Sequence, residues 1–254
     1  SSAGSFTTLE DTAYSGTLVA TDIEDTPTQM TYSIVTAPTK GTVAISSVNG
    51  FTYTPNANAT GADSFTFKAT DTGGLASNVS TVSISITPVN DPPTLNALSN
   101  LTLNEDPGIQ TVSLSGITVG PASATDEAGQ TLTVTATSSN TTLIPNPTVT
   151  YTSPAATGSI QFTPNADQNG TATITVTVND GQAANNTVTQ TFTVTVNQVN
   201  DPPTINPISD VIVNEDPGTQ SVSLAGISIG PANESPQTIT ITAMILGPMA
   251  IRPC

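Results

Sequence analysis

Histidine and tryptophan are absent from this sequence of 254 residues, and cysteine occurs once, as Cys254. A single thiol forms no disulfide within the chain, so stability must come from packing or from bound metal. An enzyme needs a nucleophile beside a base, or a catalytic metal with an open position, and histidine most often supplies the base or the ligand. We therefore predict that the chain is not an enzyme.

Positive charge is nearly missing as well. The basic side chains are Lys40, Lys68 and Arg252, against 19 acidic residues, and the formal net charge is -16. Such a chain repels nucleic acid and anionic membrane surfaces, and we expect neither as a partner. Most carboxylates have no basic partner within the chain, so they either stand in water or attract hard divalent cations from outside.

Long hydrophobic runs do not occur. No stretch approaches the roughly 18 apolar residues of a membrane helix, which argues against direct membrane insertion. Residues 1–8 lack the basic start and apolar core of a signal peptide, so we expect export or anchoring signals to lie outside this sequence. Aromatic residues make up only 4%. Most occupy alternating positions, as Phe65 and Phe67 do, which is typical of a core and unlike a sugar-binding platform.

The sequence repeats itself with an offset of 110 residues. VNDPPT occurs at residues 89–94 and again at 199–204, and NEDPG occurs at 104–108 and 214–218. The first part of the chain is a diverged relative, because YTPN at residues 53–56 matches FTPN at 162–165. We therefore predict three units, at residues 1–90, 91–200 and 201–254, the last of them truncated.

Within each unit, apolar residues alternate with threonine or serine, as in SFTFK at residues 64–68 and ITVTV at 174–178. This period of two indicates strands that bury one face. Units of about 90 to 110 residues with roughly seven such strands fit a two-sheet Greek-key sandwich. The predicted fold class is all-β, with tandem immunoglobulin-like (cadherin-like) β-sandwich domains.

The motifs NEDPG, TPN, VNDPPT and the ATD at residues 20–22 and 124–126 resemble those of bacterial cadherin-like and immunoglobulin-like tandem repeats of large extracellular surface proteins and adhesins. The resemblance implies a cadherin-like first unit, an immunoglobulin-like second unit and an extracellular or cell-surface location. It also implies a calcium-stiffened structural and adhesive rod, whose partners are neighbouring repeats and cell-surface proteins or glycans. Two alternatives stay open: a carbohydrate- or protein-binding module, and an accessory repeat of a large secreted enzyme.

Acidic residues are expected to meet where successive sandwiches join, because corner loops and linker share one end of such a domain. At the first junction the predicted ligands are Glu10, Asp11, Asp63, Asn90, Asp91, Asp126, Glu127 and Asp180. At the second they are Glu105, Asp106, Asn200, Asp201 and Glu234, with Asn233 and Asp167 beside them. Clustered carboxylates cannot all remain ionised without a cation, and Ca²⁺ takes six to eight such oxygens in a forgiving geometry.

The second junction is expected to be the poorer site. Alignment of the repeats places Asp63 opposite Ala172 and Asp126 opposite Asn233, so two carboxylates are missing there. The alternative for both junctions is that these acids cap turns and keep the surface soluble. Four further acids, expected at the upper end of the first unit, would form half of a site: Asp22, Glu24, Asp25 and Asp71.

The carboxyl-terminal residues differ from the repeats. After Ala243 the alternation stops, and MILGPMAIRPC contains two of the three methionines together with Arg252 and Cys254. We interpret this segment as a truncation or a reading-frame slip. A sandwich without its last strands exposes sheet edges, so we predict that the third unit is the least stable part of the chain.

Overall fold

Short strands rich in threonine and valine provide almost all regular structure in the computed structural model, which describes residues 1–45, 48–213, 218–234 and 236–244. In those residues no helix is long and apolar enough to cross a membrane. The strands of the first unit are β1 (Gly4–Leu9), β2 (Tyr14–Thr17), β3 (Thr31–Thr36), β4 (Gly41–Ile45), β5 (Gly50–Pro55), β6 (Gly61–Thr70) and β7 (Ser80–Thr87).

The first unit is a sandwich of two sheets, with strand orders β1-β7-β6-β3 and β2-β5-β4. Strand β1 runs parallel to β7, and the other pairs are antiparallel. Alternation places every second residue of β6 and β7 inside, so that Phe65, Phe67 and Ile84 are buried. The rings of Phe51 and Phe65 meet edge to face across the two sheets at 5.3 Å, a favourable aromatic geometry.

The second unit repeats this topology. Its strands are β8 (Leu101–Asn104), β9 (Gln110–Ser115), β10 (Thr133–Ser138), β11 (Thr148–Thr150), β12 (Thr157–Phe162), β13 (Gly170–Asn179) and β14 (Thr187–Asn197). They form sheets of order β10-β13-β14-β8 and β11-β12-β9, with β8 parallel to β14. The core is mainly aliphatic and includes Ile144, Ile174 and Val176, which are fully buried. The predicted all-β sandwich class is confirmed.

The third unit retains two local features of the second. The isolated bridge between Thr204 and Ser228 corresponds to that between Thr94 and Thr118. A 3₁₀ helix at Ala232–Glu234 likewise corresponds to one at Thr125–Glu127. No strand forms among its described residues, and Ile212 is 95% exposed. Residues 214–217 and 245–254, which include most of the second NEDPG motif and the unusual carboxyl-terminal segment, lie outside the described part of the chain.

Candidate metal centres at the domain junctions

Glu10 lies at the end of β1, where the first sandwich meets the linker, and it is only 3% exposed. Its Oε1 accepts a hydrogen bond from the Val89 backbone N–H. Burial is the largest influence on the pKa of Glu10 and raises it, whereas the bond from Val89 lowers it. Nearby negative charges raise this pKa further, those of Asp126, Asp91 and Asp11. Acids from both domains and the linker therefore converge on Glu10.

Asp91 occupies the centre of the first junction. Burial raises the pKa of Asp91, and the charges of Asp11 and Asp126 raise it further. Its Oδ2, like Oε2 of Glu10, is buried and has no hydrogen-bond partner. Buried polar oxygens in proteins are nearly always paired with a donor. Two unpartnered carboxylate oxygens beside further carboxylates are what a bound cation would satisfy.

The second domain supplies Glu127, which is 2% exposed, and Asp180, which is 3% exposed. Burial raises the pKa of Glu127, the Asp91 N–H lowers it, and the charges of Asp126, Asp91 and Asp180 raise it. Asp180 accepts hydrogen bonds from Gln182 N–H at 2.9 Å and from Asn90 Nδ2 at 3.1 Å. Residues of the linker and of the second domain therefore meet at this point in the structure.

Asp63 differs from the other expected ligands of the first junction. It faces the core of its own sandwich and accepts five hydrogen bonds, from three backbone N–H groups and two hydroxyls: Thr39 N, Lys40 N, Ser64 N, Thr39 Oγ1 and Tyr53 OH. Burial opposes its ionisation, but the bonds from Thr39 and Tyr53, with those from Ser64 and Lys40, leave the pKa of Asp63 below its ordinary value. Both of its oxygens are therefore committed within the first domain.

Asn58 contributes to the first junction although the sequence reasoning did not assign it there. Its N–H donates to Asp11 Oδ1 at 2.9 Å, as Asp167 N–H donates to Asp106 Oδ1 at 3.3 Å in the second unit. All four residues have φ between 54° and 56°, in the left-handed region that Asn and Asp tolerate. Asn58 Nδ2 is buried without a partner, and rotation of the amide would present Oδ1 there instead. Its position opposite Asp167 in the repeat is the signal that identifies it.

The second junction brings its acids closer together. Single carboxylate oxygens of Glu105, Asp201 and Glu234 lie within 4.8 Å of one another, and so do those of Asp106, Asp167 and Asp201. Burial raises the pKa of Asp201, and the charges of Asp167, Glu105, Glu234 and Asp106 add to this. Asp201 Oδ2 is buried without a hydrogen-bond partner. The second junction therefore has more closely spaced carboxylates than the alignment of the repeats predicted.

One substitution separates the two junctions electrostatically. Asn233 stands where the second domain has Asp126, and its Nδ2 donates to Glu105 Oε2 at 2.7 Å. Glu10, the counterpart of Glu105, instead faces the negative charge of Asp126. At this position the second junction therefore has a hydrogen bond from an amide to a carboxylate, whereas the first junction has two carboxylates that repel each other. Asn200, the counterpart of Asn90, is exposed, and its Nδ2 donates to the Asp201 carbonyl at 3.2 Å.

Two family models match successive parts of the chain. Residues 1–88 match the family model described as "Bacterial cadherin-like domain", and residues 90–195 match "Bacterial Ig domain". The fold and these two matches define residues 1–195 as a cadherin-like domain followed by an immunoglobulin-like domain, both β-sandwiches. The first junction lies between the two matched regions. A search of curated proteins gave no significant match.

Matches among solved structures include cadherin ectodomains. Protocadherin Gamma B2 extracellular domains 3-6 align over 92% of this chain and 56% of that chain, with 17% identity and a TM-score of 0.47. The human Desmocollin-1 ectodomain aligns over 81% and 42%, with 18% identity and a TM-score of 0.37. An endo-fucoidan hydrolase of glycoside hydrolase family 107 aligns over 78% and 28%, with 17% identity and a TM-score of 0.31. The chain spans less than half of the length of the latter two proteins.

Proposed function

We propose that the chain is a non-catalytic segment of an extracellular surface protein, in which calcium at the domain junctions stiffens a structural and adhesive rod. The proposed units meet after residues 90 and 200. The observation that carries the proposal is the set of buried, unpartnered carboxylate oxygens at these junctions: Glu10 Oε2, Asp91 Oδ2 and Asp201 Oδ2. Each belongs to a group whose pKa is raised by burial and by neighbouring negative charge.

The donor chemistry favours calcium over other metals. The junctions offer carboxylate, amide and backbone oxygens, and the chain has no histidine. Oxygen-only sites suit hard cations, and Ca²⁺ accepts the irregular arrangement of six to eight ligands that loops from two domains provide. The proposed ligands at the first junction are Glu10, Asp11, Asn58, Asp91, Asp126, Glu127 and Asp180. Those at the second are Glu105, Asp106, Asp167, Asp201 and Glu234.

A cation at either junction would join groups that belong to different domains. At the first junction, Glu10 comes from the first sandwich, Asp126 from the second and Asp91 from the linker. Binding would replace mutual repulsion by attraction to a common ion, and the angle between the domains would become less variable. A stiffened tandem of domains could serve as a rod that presents another domain to cell-surface proteins or glycans. Its direct partners would be the neighbouring repeats.

Isothermal calorimetry on the full chain tests the proposal, with calcium titrated into protein freed of metal by a chelator. We expect saturable binding with a Kd in the range of about 0.1–1 mM that extracellular calcium modules show. Asp91→Asn should abolish the heat from the first junction, and Asp201→Asn that from the second. Asp210→Asn is the matched control, because Asp210 is exposed and lies outside both ligand sets. Absence of binding heat in the unmodified chain would refute calcium stiffening.

A further inference from the structure

The linker residues also make contacts that use no metal, and these contacts are the same at both junctions. At the first, the Asp91 N–H donates to Glu127 Oε1 at 3.0 Å. At the second, the Asp201 N–H donates to Glu234 Oε1 at 2.9 Å. In each case a buried glutamate of the following domain holds the backbone of the linker, and charge-assisted bonds of this kind are among the stronger ones in proteins.

A glutamine completes the arrangement three residues after each glutamate. Gln130 Nε2 donates to the second oxygen of Glu127 and to Asn90 Oδ1, the latter at 2.8 Å. Gln237 Nε2 donates in the same way to Glu234, and to Asn200 Oδ1 at 2.7 Å. Both targets are oxygen acceptors, so the orientation of each amide is determined by its chemistry. The neutral NH₂ group of each glutamine therefore bridges a glutamate carboxylate and an asparagine side-chain oxygen. A cation could bridge the same two types of oxygen.

The backbone beside each glutamate leaves room for this approach. A Cβ atom at Gly120 would lie 3.2 Å from Glu127 Cγ, and one at Gly230 would lie 3.1 Å from Glu234 Cγ. At Gly230 the backbone φ is also +121°, which disfavours other residues. Glycine, glutamate and glutamine therefore recur together around both linkers.

Contacts towards the preceding domain are fewer. The linker bonds to it through Val89 N–H on Glu10. More bonds join the linker to the following domain. The Asn90 side chain donates to the carbonyls of Ala184 and Asn185, at 2.9 and 3.2 Å. Asn185 Nδ2 donates back to the Asn90 carbonyl at 3.0 Å. The first linker is therefore attached mainly to the domain that follows it.

We infer that Gln130 and Gln237 are positioning residues that dock each linker onto the following domain without metal. Metal-dependent bending is then confined to the side of the preceding domain, between residues 87 and 90 at the first junction. This inference concerns the same junctions as the proposed calcium sites but does not depend on calcium binding. Its test is made in the presence of a chelator, so that it can fail or succeed independently of the calcium proposal.

The test is amide hydrogen exchange by NMR on the full chain in EDTA, comparing the unmodified protein with Gln130→Leu and Gln237→Leu. Leucine has a comparable volume and a side chain one atom shorter, and it has no hydrogen-bond donor. We expect the Asp91 amide to be protected without metal, to exchange at least about tenfold faster in Gln130→Leu, and to be unchanged in Gln237→Leu, since local opening sets the exchange rate. The Asp201 amide should show the opposite dependence.

Gln161→Leu is the matched control, because Gln161 is an exposed residue of β12 away from both linkers, and neither amide should respond to it. Residual dipolar couplings in EDTA give a second measurement that tolerates modest destabilisation. Couplings of Asn90 and Asp91 should fit the alignment of the second domain and not that of the first. An unprotected Asp91 amide in the unmodified protein, equal exchange in Gln130→Leu, or linker couplings that follow the first domain would each overturn the inference.

Discussion

Asp63→Asn tests whether Asp63 supports the first sandwich or binds metal. Its two oxygens accept five hydrogen bonds, and no orientation of an asparagine amide reproduces them, because the NH₂ group would face either Lys40 N–H or the N–H groups of Thr39 and Ser64. Hydrogen bonds to a charged group contribute about 1.5–3 kcal/mol each, and unsatisfied buried donors add a cost of similar size. We therefore expect a loss of about 3 kcal/mol from the first domain.

For a domain of this size, about 3 kcal/mol corresponds to a fall in Tm of about 12–24 °C. Differential scanning calorimetry in EDTA should show the transition of the first domain moving by this amount while that of the second domain stays. The second domain is an internal control, because fully buried Ala172 stands at the position of Asp63. Near-ultraviolet circular dichroism helps to assign the transitions, since three of the four tyrosines lie in the first domain and Tyr151 lies in the second.

Tyr53→Phe removes one of the five hydrogen bonds that Asp63 accepts and leaves the other four. Tyr53 OH donates to Asp63 Oδ2 at 2.8 Å, and its loss should cost the first domain about 1–2 kcal/mol. Acidification provides a further check, because the pKa of Asp63 in the folded state is lowered. Ionised Asp63 therefore stabilises the folded first domain at pH values above its unfolded pKa. This stabilisation is lost as pH falls through the folded pKa. If Asp63→Asn leaves Tm unchanged but abolishes calcium binding at the first junction, this reasoning is wrong and Asp63 is a ligand.

Three further predictions concern the first junction. Asp126→Asn should imitate the amide of the second junction, so that Tm in EDTA rises and the gain in Tm on adding calcium falls; an unchanged calcium response in thermal scans would contradict this. Asn58→Asp adds a carboxylate beside Asp11 and should tighten calcium binding severalfold in calorimetry while lowering Tm in EDTA, with Asn56→Asp as control. The folded pKa values of Glu10 and Asp91 are raised, so metal-free stabilisation from these groups is lost as pH rises through them. The gain in Tm on adding calcium should therefore be larger at pH 7 than at pH 4.5, and a gain independent of pH would refute this.

The sandwich class could be predicted because alternation and repetition are local signals. The run at residues 64–68 already places Phe65 and Phe67 on one face of a strand. The same alternation puts Asp63 on that buried face, since it lies two residues before Phe65. A carboxylate at a core position needs donors from its own domain, so the pattern contained the signal that separates Asp63 from the junction acids. Its individual donors could not be predicted, because Thr39 and Lys40 approach it only in the folded chain.

The convergence of Glu10, Asp91 and Asp126 could likewise be predicted from topology, because loops at one end of a sandwich meet the linker that leaves it. Repeat alignment could not rank the two junctions, since it counts carboxylates but not their partners. In the alignment of the repeats, Asn233 stands opposite Asp126 and therefore counts as a missing carboxylate ligand. In the structure it is a hydrogen-bond donor to Glu105 at 2.7 Å, and it removes repulsion that a cation would otherwise have to offset.

These contacts divide the first junction into two halves with different electrostatic requirements. On the side of the following domain, the Asp91 N–H and the Gln130 amide donate to Glu127, so neutral donors stabilise this buried carboxylate. On the side of the preceding domain, Glu10 and Asp91 leave oxygens without donors, and a shared cation would relieve their repulsion at a pH where both are ionised. Under the proposed function, calcium would need to immobilise one hinge at the first junction instead of a whole linker. A weak site suffices for this: calcium at ten times its Kd stabilises the bound form by about 1.4 kcal/mol, which shifts the bent-to-straight ratio of that hinge about tenfold if only the straight form binds.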